Sequence, residues 1–191
     1  MSVTLIEIEN IKTMRTTKSN QSAETTDSAL NELFINELKD IYWAEKHLTS
    51  ALPKMAKAAT TDQLREALEN HLAETENHVS RLESVFDVIG EKAVAKKCEA
   101  MAGLIKEGEE IISETEKGTS TRDAGIISAA QKVEHYEIAT YGTLKTLANV
   151  LGYNEAVDIL NATLEEEKKA DGLLTQVAES TINQSASSEG K

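Results

Sequence analysis

The sequence predicts an all-α fold: four long amphipathic helices packed as a bundle, with one long connection between the second and the third. Three observations carry this. Apolar residues recur at helical spacing over four separate segments of about 30 residues each. Pro53 is the only proline and glycines number nine in 191 residues, too few turn residues for a chain of short strands. Helix formers (Ala, Glu, Lys, Leu) are abundant, whereas the aromatic residues that strands favour make up 4%. A chain of this length suits one domain with a substantial core.

Residues 1–27 are rich in Thr, Ser and Asn and lack the helical stripe that begins at Leu30, so they are expected to form a flexible tail. The first helix is expected from an Asp27 cap to about Ala58, on Leu30, Phe34, Leu38, Ile41, Leu48 and Leu52, with a kink or new turn at Pro53. Thr60-Thr61-Asp62 offers caps for the second helix, whose Leu64, Leu68, Leu72, Leu82, Val85 and Phe86 run until Gly90 stops it. The third is expected from Asp123 to Leu151 and ends at Gly152. Asn154 is expected to cap the fourth, which carries Leu160, Leu164 and Leu174 to about Thr181. The remainder, 183–191, is Ser-rich and expected to be a disordered tail.

Between the second and third helices lies Glu91–Arg122, far longer than a usual helix–helix connection. Its Met101, Leu104, Ile105, Ile111 and Ile112 predict helical pieces lying along the bundle. One long crossover between two helical hairpins is the connectivity of an up-down bundle of ferritin-like type. The domain boundaries that follow are 28–182.

Composition excludes several functions. A net charge of −13 opposes nonspecific binding to nucleic acid or to an anionic membrane, and favours cations. Cys98 is the only cysteine, which rules out an internal disulfide or a multi-thiolate metal site and suits a reducing compartment. No apolar run reaches membrane-spanning length and the N-terminus lacks a secretory pattern, so the expected location is the cytoplasm.

Charged residues on the apolar stripes are the functional signal, because a buried charge without a partner is expensive. At 100° per residue, Glu167 falls near the centre of the fourth stripe, with Asp171 within roughly 40° of it. Glu137 is central in the third, with Glu134 at its margin. On the second helix His71 and His78 lie within the stripe and Glu74 on its edge. On the first, Glu37 and Glu45 both border it. Heights favour Glu45. Glu45 and Glu74 are each about 15 residues from the turn near Thr60, and Glu137 and Glu167 about 15 from Gly152, roughly 22 Å along each hairpin. If the two turns lie at opposite ends, all four converge at mid-bundle.

Carboxylates and imidazole without thiolate describe a site for two iron or manganese ions. The expected ligands are Glu45, Glu74, His78, Glu134, Glu137, Glu167 and Asp171, with Glu74 and Glu167 bridging or chelating. Tyr141, one turn beyond Glu137, could orient a ligand. His71 is expected to be a buried hydrogen-bonding residue, although His71 with Glu74 is an alternative to Glu74 with His78. The ferritin-like Glu-x-x-His spacing of three is absent: the pairs here are four apart, and Asp171 stands where one histidine would be.

Over roughly 28–182 the chain resembles the YciF-like family of ferritin-like bacterial stress-response proteins. The phrases that carry the resemblance are Glu37 to Tyr42 leading to Ala44-Glu45, Leu52-Pro53, His71 to Thr75 with His78, Cys98 to Leu104, Glu134 to Gly142, and Leu164 to Asp171. The resemblance implies a ferritin-like bundle, a homodimer and a di-metal centre, and it supplies no substrate. The function expected is reaction with peroxide or O2 in oxidative-stress defence, with no nucleic-acid or membrane partner. The competing expectation is a metal-free bundle serving as a structural or interaction protein.

Overall fold

The computed structural model describes residues 28–190. Five helices run α1 Ala29–Ala58, α2 Asp62–Ile89, α3 Glu99–Glu114, α4 Ser120–Leu151 and α5 Asn154–Val177. A π-helical turn, Ala178–Ile182, continues α5 into a short α6, Asn183–Ser187. No strand is present among the described residues.

Two hairpins, α1–α2 and α4–α5, pack side by side, with α1 against α4 and α2 against α5. Their turns sit at opposite ends. The amides of Thr60 and Thr61, in the first turn, donate to Asp123 at the start of α4 (2.6 and 2.8 Å). Tyr153, in the second turn, donates to Asn31 at the start of α1 (2.9 Å) and stacks on Phe34. The crossover therefore travels the length of the bundle, and α3 lies along α1 and α4 on the way. This is the predicted all-α architecture.

Gly90 and Gly152 end α2 and α4 in the left-handed conformation, at φ 76° and 80°. A side chain would be strained there, and each glycine closes its helix with returning amide bonds, such as Tyr153 N to Ala148 O at 2.9 Å. Elsewhere the boundaries shift. Ser28 caps α1, its hydroxyl accepting from the Asn31 amide; the expected cap, Asp27, lies outside the described residues, as does the 1–27 tail. α1 runs through Pro53, whose missing N–H leaves the helix one ladder bond short near its C-terminal end.

α4 begins three residues before the predicted Asp123, capped by Thr119. Asp123 is fully buried and serves the α1–α2 turn instead, a tertiary contact that no local pattern encodes. Asn154 is the first residue of α5 rather than its cap. The C-terminal stretch expected to be disordered is helical to Ser187, and Glu189 accepts from the Ser120 and Thr121 amides (2.6 and 2.9 Å). These are unsatisfied donors at the start of α4, which explains why the tail is held.

The core is apolar at both ends, with Phe34, Leu38, Phe86 and Leu144 toward one and Leu64, Leu68 and Ile126 toward the other. Its middle is not. No helix among the described residues is long and apolar enough to cross a membrane.

Candidate metal centre

Mid-bundle, polar residues occupy positions that helical spacing assigns to the core. On α1, Glu45 follows Ile41 and precedes Leu48 on the inward face. On α2, His71, Thr75 and His78 continue the stripe of Leu64 and Leu68 toward Leu82. On α4, Glu134, Glu137 and Tyr141 stand between Val133 and Leu144; on α5, Glu167 stands between Leu164 and Leu174. Glu45, Thr75, His78, Glu137, Tyr141 and Glu167 have no exposure at all, and Glu134 and His71 almost none.

These side chains form two groups, each with donor atoms within 4.8 Å of one another: His71, Glu134, Glu137 and Glu167 in one, Glu45, His78 and Glu167 in the other. Glu167 belongs to both. Its Oε1 lies 2.9 Å from His78 Nδ1 and its Oε2 3.8 Å from His71 Nε2. His71 Nε2 is also 3.3 Å from Glu134 Oε1, and His78 Nδ1 is 3.6 Å from Glu45 Oε1.

The burial is not balanced by hydrogen bonds. Both oxygens of Glu137, both of Glu167, and one each of Glu45 and Glu134 lack a hydrogen-bond partner among the described residues, as does His78 Nδ1, whose 2.9 Å approach to Glu167 is poorly aligned. Such orphaned acceptors are rare in native interiors. A cation satisfies many of them at once, so the donor set fits a metal pair: oxygen and imidazole ligands, one shared carboxylate and no thiolate.

Proton affinities follow the same crowding. Burial, and then the neighbouring carboxylates, push Glu137 and Glu134 well above the usual carboxylate range. Burial also raises Glu45. For the histidines burial opposes the charged ring, but the acids outweigh it. Glu74, Glu134 and Glu167 hold His71 at about 9, and Glu167 and Glu45 hold His78 at about 11. Protons and metal ions compete for these atoms.

Supporting residues aim the ligands. Glu166 accepts from His78 Nε2 at 2.8 Å, which turns Nδ1 toward Glu45 and Glu167. Arg81 grips Glu166 through both guanidinium nitrogens, one of them at 2.9 Å, and draws its carboxyl down to about 2. Tyr141 donates a short hydrogen bond to Glu45.

A family described as "Domain of unknown function (DUF892)" matches residues 29–187. The chain belongs to that family. Protein YciF of Escherichia coli (strain K12) is 48% identical over 158 residues, 82% of this chain and 95% of that protein. The crystal structure of the E. coli stress protein YciF shares 47% identity and a TM-score of 0.78, covering 82% of this chain and 99% of that one. YcfI of Rhodopseudomonas palustris is 43% identical with a TM-score of 0.77, covering 79% and 96%. A Xanthomonas campestris pv. campestris protein, 19% identical with a TM-score of 0.64, shares the fold.

In this DUF892 chain the expected ligands do not all converge. Glu45, His78, Glu134, Glu137 and Glu167 come together. Glu74 and Asp171 stay outside both groups. Glu74 is partly exposed and approaches His71 Nδ1 at 3.5 Å. The residue facing inward on that turn is Thr75, one step of 100° away. Asp171 turns toward α4, accepting from Gln131 at 3.0 Å and lying 3.4 Å from His135, because Ala170 and Leu174 hold the inward positions after Glu167.

His71, expected to be a buried hydrogen-bonding residue with ligation as the alternative, joins a donor group. The spacing of His71, Thr75 and His78, in register with Leu64, Leu68 and Leu82, was the available signal. Glu166, read from α5 alone, faces away from the stripe. Its role depends on α2 and leaves no trace in local periodicity.

Proposed function

We propose that the chain binds two ions of iron or manganese at mid-bundle and, as a cytoplasmic ferritin-like protein, reacts them with peroxide or O2 in defence against oxidative stress. One observation carries the reading: Glu167 is shared by two buried donor groups, and six of their eight carboxylate oxygens lack a hydrogen bond among the described residues. Glu45, His78 and Glu167 would hold one ion, and His71, Glu134, Glu137 and Glu167 the other. Two such ions supply the two electrons that peroxide reduction needs.

The protein's part is to fix the site. Arg81 and Glu166 orient His78, Tyr141 anchors Glu45, and apolar layers close the bundle above and below. The description of E. coli YciF as a stress protein supports the physiological setting. The test is protein purified without chelator, assayed for metal, then loaded with ferrous ion anaerobically and exposed to peroxide. Two ions per chain and oxidation by peroxide are expected. A protein that takes up no iron, manganese or other transition metal would contradict the reading.

A further inference from the structure

One of the two donor groups has an approach from outside and the other does not. A cavity of about 370 Å³ lies between α2 and α5, and His71 and Glu134 form its buried floor. Glu45, His78 and Glu167 do not line it. Ala67, Leu68, Ala170, Leu173 and Leu174 make the walls, and Glu74 and Lys169 stand at the rim.

The size and the walls are informative. A water occupies about 30 Å³ of liquid, and hydrogen peroxide and O2 are of the same order, so neither needs a chamber ten times larger. Five aliphatic side chains disfavour polar hydrogen peroxide and favour an organic body. The ionisable lining is two acids, Glu74 and Glu134, and two bases, His71 and Lys169, a balance that selects no net charge. Leu173, 41% exposed, is an aliphatic residue on the solvent edge where a polar one would cost nothing.

We propose that this cavity is a substrate pocket for small organic hydroperoxides: uncharged molecules whose alkyl or aryl body lies against Leu68, Leu173 and Leu174 and whose peroxide end reaches the floor at His71 and Glu134. The proposal rests on the redox reading above. The step balances as ROOH plus two electrons and two protons giving ROH and H2O. The O–O bond breaks, two O–H bonds form, and the electrons come from two ferrous ions that become ferric.

Binding is separable from redox chemistry by using the product alcohols with full-length protein loaded with zinc, which does not change oxidation state. 2-Phenyl-2-propanol should shift the methyl resonances of Leu68, Leu173 and Leu174. It should bind at least tenfold tighter than tert-butanol, since each added methylene equivalent in an apolar pocket is worth about fourfold. Ala170→Leu, which fills the cavity, should weaken that binding at least tenfold. With iron-loaded protein it should lower the selectivity for cumene hydroperoxide over hydrogen peroxide by a similar factor. Leu173→Glu, at an exposed position where folding is safe, should act in the same direction.

Alcohol that does not shift those methyls, or binding indifferent to both substitutions, overturns the pocket. Alcohol seated at Leu68 and Leu174 in a protein whose ferrous ions react with no peroxide overturns the redox reading and removes the hydroperoxide as occupant. The two failures are therefore distinguishable.

Discussion

Glu167 is the residue on which the account turns, because its two oxygens face two histidines from different turns of α2. Glu167→Gln keeps the shape and removes the shared charge. Metal content should fall from two ions per chain to one or none by elemental analysis. The melting temperature of the metal-free protein should fall, since His71 and His78 lose the acid that pairs with both of them. Glu74→Ala is the contrasting variant: its carboxylate supports His71 from outside both groups, so two ions should remain. A loss of metal as complete as that of Glu167→Gln would restore Glu74 as a ligand. Glu166→Gln tests the support of His78. Glutamine leaves the ring one amide oxygen but removes the charge and the two-pronged grip of Arg81 that fix it, so His78 is held less firmly and metal affinity should drop about 10–100-fold while the fold stays intact.

At the scale of elements, the bundle is held by helices that cap one another. The buried Asp123 carboxylate receives two amides from the half-buried α1–α2 turn, and Asp123→Ala takes the acceptor from both. Urea denaturation should show a loss of roughly 1–3 kcal/mol for each donor left unpaired. Helix existence and order were legible in the sequence because periodicity reports burial one helix at a time. So were Gly90 and Gly152 as stops, whose left-handed backbone almost requires glycine. Asp123 reads locally as the start of a helix because its real partners are about sixty residues away. The site was legible to the same degree. Glu45, Glu137 and Glu167 announced themselves as acids on apolar faces, but a wheel angle uncertain by tens of degrees could not separate Glu74 from Thr75 or turn Asp171 away from the interior.

The whole molecule carries the pH dependence. The raised values of His71, about 9, and His78, about 11, mean that the folded chain holds these protons more tightly than the unfolded one, whose histidines titrate near 6.5. Their stabilisation is complete below about pH 6.5 and is lost as pH rises through 9 and 11. Glu45, Glu134 and Glu137, also raised, act in the same direction, and their effect begins to fade above about pH 4.5. Glu166, drawn down to about 2, opposes them: its stabilisation is present above about 4.5 and lost as pH falls toward 2. Metal-free protein should therefore melt at its highest temperature in mildly acidic buffer and at steadily lower temperatures toward pH 9. Bound metal should flatten that slope, because ions replace the protons. A metal-free melting curve that rises from pH 6 to 9 would contradict the electrostatics described for the core.

The claim beneath all of this is that two ions sit side by side across one carboxylate in the interior. Anomalous diffraction from crystals grown with ferrous or manganous ion measures that directly. Two peaks flanking Glu167 are expected, one against Glu45 and His78 and the other against His71, Glu134 and Glu137. An interior without a peak, or peaks confined to surface carboxylates, would contradict it.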